Sequence, residues 1–280
     1  MNCGKFHISS RVMEKAVLWL CWGIVGLASL YLLHYVRRAF VCDRFVVKGV
    51  SMEPGFHTGE GVYVNKLLLG ARIYTDFDFS KSSVSSFRMP GFRKARPGDV
   101  MILNYPFAET EDTINFRINY VYMKRCYGCP GDDVVIKDGY YVHPQTGGNV
   151  GNTCYQKVLS GTPDSLLEER GVVVKAFQLN KAMKWTIRDF GPLHVPASGD
   201  VVKLDSLNWK TYRKQIQYET GMMPAWKDGT VTLGCGPLKE YKFASDWYFF
   251  GGDNVLDSRD SRYFGLVPEE YIIGIVAGRR

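Results

Sequence analysis

The chain has 280 residues, 46% apolar and 22% charged, the balance of a globular protein with a sizeable core, which excludes global disorder. A formal charge of +7 is scattered without a run of like charges, so it marks no nucleic-acid footprint and fits a membrane surface as well. Seven cysteines are an odd number and too few for a disulfide scaffold at this length.

Residues 1–15 read as an N-terminal tail. From Ala16 to Val36 the sequence AVLWLCWGIVGLASLYLLHYV holds no Asp, Glu, Lys or Arg over 21 residues. At about 1.5 Å of rise each, such a helix crosses the roughly 30 Å hydrocarbon core of a bilayer. Trp19, Trp22, Tyr31 and Tyr35 lie toward its ends, and Lys15, Arg37 and Arg38 bracket it, as interfacial anchors do. A cleavable leader has a shorter apolar run and a small-residue cleavage site; here RRAFVCD follows, so a retained single-pass anchor is expected. Lys5, Arg11 and Lys15 before the helix compete with Arg37, Arg38, Arg44 and Lys48 after it, and the charges leave the topology open.

Residues 37–280 change to short runs rich in Val, Ile, Tyr and Phe, broken by Gly and Pro. Strands are expected over 44–50, 61–68, 99–106, 119–126, 133–142, 200–204, 246–252 and 271–276, which makes the soluble part mainly β. Arg96-Pro-Gly-Asp-Val100 and Ala197-Ser-Gly-Asp-Val201 each set a Gly-Asp turn before an apolar strand, and turn grammar accounts for both without a repeat. Thr75 to Arg96, rich in Ser, Arg and Lys, reads as an exposed loop, and 143–199, including LLEERG and the segment from Lys175 to Met183, is too weakly patterned to assign.

Three segments carry chemistry. Gly49-Val-Ser51-Met-Glu-Pro54 places a serine where a strand gives way to a proline-bearing turn, a position that holds a hydroxyl toward a substrate. Tyr122-Met-Lys124-Arg125-Cys-Tyr-Gly-Cys-Pro-Gly-Asp132 places a lysine inside an apolar strand pattern, with Arg125 on the opposite face. Desolvation there lowers an amine from about 10.4 toward neutrality and makes it a base, whereas a lone Lys-Arg pair is more often a snorkelling surface feature. Gly251 to Gly265 is a polar loop in which Asp260 and Arg262 form either a charge-assisted brace or an ordinary turn cluster. Cys126 and Cys129 are a single C-x-x-C with no second pair or nearby His, so no metal site is expected, and the two thiols are either incidental or bonded to each other.

In chain order these segments read S-M-x-P, K-R-x-x-G-x-P-G-D and G-D-N-x-x-x-S-x-D-S-R-x-x-G. Together with the anchor and R-P-G-D-V they resemble the type I signal peptidase (leader peptidase) family. The resemblance implies a mostly antiparallel β catalytic domain with a core over 42–143 and 246–280 and a variable insertion at about 144–245. It implies a membrane serine endopeptidase without cofactor, in which Ser51 is the nucleophile and Lys124 the general base, supported by Ser258, Asp260 and Arg262. Its substrates would be exported preproteins, cut after an Ala-x-Ala-like pattern, with the catalytic domain outside the cytoplasmic membrane. Some members carry a serine two residues before the nucleophile; here that position is Gly49, so the oxyanion hole is expected to rest on backbone N–H groups of Ser51 and Gly49. Strand alternation puts Phe45 and Val47 on one face, and with Met123 they are expected to wall the substrate pocket.

Other readings meet specific obstacles. A self-cleaving repressor with the same dyad would carry a DNA-binding helix pair, which is absent from the pattern. A penicillin-binding enzyme requires S-x-x-K, and Ser51-Met-Glu-Pro54 lacks the lysine. A membrane-tethered β-domain that only binds envelope proteins has no need of an intact Ser51 and Lys124.

Overall fold

A computed structural model of the chain describes residues 10–76, 78, 85–107, 112–176 and 182–279. The apolar run forms one helix, α1 (Ser10–Val36), which starts six residues before the expected anchor and whose hydrophobic side chains from Met13 onward stay exposed, with no cover from the described residues. A π-helical turn over Arg37–Val41 ends it, and the chain enters β1 (Cys42–Val46) directly.

The strands that follow are short. They are β2 (Gly61–Asn65), β3 (Arg72–Tyr74), β4 (Ser86–Arg88), β5 (Val100–Asn104), β6 (Val121–Gly128), β7 (Asp133–Lys137) and β8 (Tyr140–Val142). Helices α2 (Thr153–Gly161) and α3 (Asp164–Glu169) precede β9 (Phe190–His194) and β10 (Val201–Lys203), and α4 (Trp209–Thr220) precedes β11 (Ala225–Lys227), β12 (Thr230–Leu233), β13 (Gly236–Pro237) and β14 (Glu240–Lys242). β15 (Trp247–Gly251), α5 (Ser261–Phe264), β16 (Val267–Pro268) and β17 (Ile272–Arg279) complete the chain.

Seven strands form the main sheet in the order β1-β2-β17-β5-β6-β15-β16, with every neighbouring pair antiparallel. β5 and β15 lie inside it and are buried along their whole lengths, which is why VMILN and WYFFG read as continuous apolar runs rather than alternations. A second sheet, β8-β7-β9, leads off the end of β6. One buried cluster runs through both, from Met101 and Phe249 to Leu159, Phe190 and Ile216. α4 is tied to that core by Glu219, which accepts hydrogen bonds from Trp247 Nε1 at 3.0 Å and Tyr241 OH at 2.8 Å.

Two expected strands end differently. The run 44–50 stops at Val46 because Gly49 takes φ +78°, which turns the chain out of the sheet. The run 133–142 is a hairpin, since Asp138 and Gly139 both adopt positive φ (49° and 81°) and make the tight turn that matches strand twist. The expected loop from Thr75 to Arg96 holds β4 in its described part. There Arg88 leaves solvent to bind Gly70 O and the Glu269 carboxylate, so a basic sequence folds inward. Within 143–199 the unassigned stretch contains α2 and α3, with LLEERG closing α3, while 177–181 lie outside the described residues.

Candidate active site

Ser51 opens a turn after β1. Its flanking peptides are pinned on one side: Val50 O accepts from Glu53 N at 3.0 Å and Asn254 Nδ2 at 3.4 Å, and Ser51 O accepts from Asn254 N at 3.1 Å. Because a trans peptide sets its N–H opposite its carbonyl, the Ser51 N–H points away from these partners, and it has no acceptor among the described residues. Gly49 sits in the left-handed region, where a side chain costs roughly 1–2 kcal/mol, and its carbonyl accepts from Thr58 Oγ1 at 3.0 Å. A glycine here therefore has a backbone reason.

Lys124 comes from β6, paired across to Met101 of β5, and is only 3% exposed. Its Nζ donates to Ser51 Oγ at 2.7 Å and to Ser258 Oγ at 3.1 Å. Burial pushes the amine down to about 8; Asp260 opposes that fall, Arg262 assists it, and Asp257 and Asp253 oppose it further. Ser51 and Lys124 are 73 residues apart in sequence and in contact in space.

The third segment supplies the platform. Asp260 caps α5, accepting from Arg262 N at 3.2 Å, and its carboxylate takes Arg262 Nε at 2.8 Å, Arg262 Nη2 at 2.9 Å and Gly252 N at 3.0 Å. Both side chains are wholly buried, and Arg262 also donates to Val255 O at 2.9 Å. Burial works to raise the Asp260 carboxyl, but Arg262 more than offsets it and the net direction is down; burial likewise works against the Arg262 charge, and Asp260 carries it well up. The brace reading thus holds over the turn-cluster reading. Gly252 is required by close approach, for a Cβ there would lie 2.3 Å from Ser258 Oγ and 2.4 Å from Ser51 O.

One pairing went unseen in the sequence. Arg125, on the face opposite Lys124, grips the buried Asp253 carboxylate through Nε at 2.7 Å and Nη2 at 2.6 Å, tying the lysine strand to the Gly252 loop. No local pattern links residues 128 apart. Cys126 and Cys129 face each other at 3.6 Å as free thiols, burial holds the Cys126 thiol well up, and neither lines the cleft. Among the described residues no group of three or more His, Cys, Asp or Glu is placed to hold a metal ion.

A cleft of about 780 Å³ opens above Ser51 between the end of β1 and the start of β6. Phe45, Val47 and Met123 line it, and Val62, Ile102 and Tyr122 add apolar and aromatic wall that strand alternation near Ser51 did not reveal. Arg44, Lys48 and Arg259 stand at its basic margin.

A serine hydroxyl bonded to a buried, depressed amine beneath an open cleft has the layout of a serine hydrolase. Comparison with known proteins agrees. The family model described as "Signal peptidase, peptidase S26" matches residues 19–279. Signal peptidase I of Buchnera aphidicola subsp. Acyrthosiphon pisum is 22% identical over 283 residues, covering 98% of this chain and 79% of that protein. Signal peptidase I of Pseudomonas aeruginosa is 28% identical over 251 residues, 85% of this chain and 64% of that protein. The crystal structure of a signal peptidase I from Enterococcus faecalis superposes weakly, with a TM-score of 0.28 and 18% identity over 66% of this chain and 97% of that one. The chain belongs to the signal peptidase family, peptidase S26, and is a serine endopeptidase of signal-peptide processing; its N-terminal apolar helix, α1, is long and apolar enough to cross a membrane.

Proposed function

We propose that the chain cleaves signal peptides from exported preproteins with Ser51 as nucleophile and Lys124 as general base, on the extracytoplasmic side of the cytoplasmic membrane. The 2.7 Å contact between Lys124 Nζ and Ser51 Oγ, in a site that strips water from the amine, carries this reading. The neutral amine takes the Ser51 hydroxyl proton as Oγ attacks the scissile carbonyl carbon. The oxyanion meets the free Ser51 N–H. The Lys124 ammonium then protonates the departing nitrogen, the C–N bond breaks, and the mature protein leaves as the amine while the signal peptide stays esterified to Ser51. A water deprotonated by the same amine attacks the ester and frees the signal peptide.

Ser258 gives the amine a second hydroxyl partner, and Asp260 and Arg262 fix Ser258 through the loop they brace. Phe45, Val47 and Met123 leave apolar space suited to small side chains before the cut, the Ala-x-Ala pattern. A substrate in extended form adds alongside the free edge of β1, with main-chain hydrogen bonds for affinity and wall residues for selection. The catalytic core spans 42–143 and 246–280, with 144–245 as the variable part.

Ser51→Ala and Lys124→Ala, each in the full chain, are expected to abolish cleavage of a membrane-inserted preprotein while keeping the wild-type circular dichroism. Processing retained by either variant overturns the assignment.

A further inference from the structure

Cys126 and Cys129 take no part in the mechanism and fill variable positions of K-R-x-x-G-x-P-G-D, yet the fold brings them together. In an unbroken strand, residues three apart point to opposite faces and lie about 10 Å from each other. β6 is not unbroken here. Phe249 of β15 pairs with Gly128 and Phe250 with Cys126, so Tyr127 is an extra residue, a bulge that bends the strand. Beyond the bulge a turn folds Cys129 back: Gly131 adopts φ +88°, Asp132 N donates to Cys129 O at 3.0 Å, and Cys129 N donates to Asp132 Oδ2 at 2.9 Å. The two sulfurs end in van der Waals contact at 3.6 Å.

The two thiols differ in access and freedom. Cys126 is wholly buried, and its backbone is held on both sides, with N donating to Asp99 O and O accepting from Gly98 N, each at 2.8 Å. Cys129 is half-buried on the turn, so it is the thiol that an outside reagent meets first. A disulfide bond is about 2.05 Å long, and closing the remaining 1.5 Å or so falls to Cys129 and its turn rather than to the strand of Lys124. That turn is also the passage from the main sheet to the second one. Gly131 N donates to Val195 O at 2.7 Å and Val195 N to Asp132 O at 2.8 Å, just past β9. A bond between the two sulfurs therefore clamps the strand that carries Lys124 to the sheet β8-β7-β9.

We propose that Cys126 and Cys129 are a disulfide-forming pair, oxidised by thiol–disulfide exchange with a disulfide donor, and that the bond clamps the junction of the two sheets. The Cys129 thiolate attacks one sulfur of the donor R–S–S–R and releases the first thiolate; Cys126 then gives up its proton and attacks Cys129 Sγ, releasing the second. The pair loses two hydrogens and two electrons, and the donor leaves as two thiols. Burial holds the Cys126 thiol well up, so contact with the Cys129 sulfur drives the second step. The chemistry is independent of the Ser51/Lys124 reading. Its occurrence in the cell follows from the extracytoplasmic placement, where disulfides persist.

The test uses the full chain in detergent micelles, wild type and Ser51→Ala, incubated with oxidised glutathione, alkylated and cut with trypsin. Cleavage after Arg125 and Lys137 leaves both thiols in one peptide, residues 126–137. That peptide is expected without alkyl groups and two hydrogens lighter than its reduced form, and both thiols should alkylate after reduction. Two alkyl groups without reduction, or glutathione left on Cys129, overturn the pairing. Oxidised protein is expected to melt about 3–6 °C above reduced protein, with kcat/KM within about twofold, and Cys129→Ser should melt alike in both conditions. Equal melting of oxidised and reduced wild type, or a shift that survives in Cys129→Ser, overturns the clamp.

Discussion

Lys124→Met tests the cost of the buried base. In the folded protein the amine sits at about 8 against an ordinary 10.5, so between those values the unfolded chain binds more protons and stability rises with pH. At pH 7, below both, the folded state carries the whole penalty; at 1.36 kcal/mol per pH unit this is about 3 kcal/mol. Methionine fills a similar volume and carries no charge, but it leaves the Ser51 and Ser258 hydroxyls without the amine, which takes back about 1 kcal/mol. The variant is therefore expected to be inactive and more stable than wild type by roughly 2 kcal/mol at pH 7, with the difference shrinking by about 2 kcal/mol by pH 9.5. Urea unfolding of the full chain in detergent micelles at both pH values reads this as a midpoint shift at constant slope. A variant less stable than wild type at pH 7, or a gap independent of pH, refutes the reasoning.

The same amine governs the rate. On a fluorogenic peptide, kcat/KM should climb with unit slope to a plateau with its midpoint at about 8, and a flat profile from pH 6 to 9 contradicts a lysine base. Asp257→Asn removes a carboxylate that favours the ammonium, so the acid limb should move to lower pH by a few tenths; movement upward contradicts the assigned sign. Ser258→Ala deletes the 3.1 Å contact to Nζ and should cost kcat about tenfold with KM unchanged, as measured by initial rates. Gly252→Ala pushes a methyl against Ser258 Oγ and Ser51 O, and a misplacement on the order of 1 Å predicts a loss of about a hundredfold in kcat/KM.

What the sequence disclosed follows the range over which its signals act. The Gly-Asp turns before β5 and β10 were readable because they are closed by neighbours: Asp99 N bonds Arg96 O, Asp200 N bonds Ala197 O, and each aspartate carboxylate accepts the N–H three residues back. Asp132 makes the same turn with Cys129 before β7. The helix α1 was readable from its length and lack of charge. α4 was not, since its buried face sets Thr211, Lys214 and Gln215 beside Trp209, Tyr212 and Ile216, which interrupts the short apolar stripe. At the site, Ser51 and Lys124 gained meaning only in combination with the distant loop at 252–262. The Arg125–Asp253 pair and the Val62 and Ile102 walls arise from sheet order, which places β2, β17, β5 and β6 side by side and which no local pattern encodes.

The arrangement answers a difficulty inherent in a lysine base. A carboxylate near an amine stabilises the ammonium, yet the loop that shapes this site is rich in aspartate. Asp253 and Asp260 are both wholly buried close to Lys124, and unopposed they would keep it protonated. Each instead has its own arginine, Arg125 for Asp253 and Arg262 for Asp260, bound through two guanidinium nitrogens. The pairs give the loop its rigidity; at the amine Arg262 opposes Asp260, and burial, the largest influence, decides the outcome. Arg262 thus acts on the lysine in two ways: it anchors the Asp260 that holds the Gly252 loop, and its charge disfavours the ammonium. Removing it would damage the brace and return the amine toward its protonated form together, so both effects lower activity.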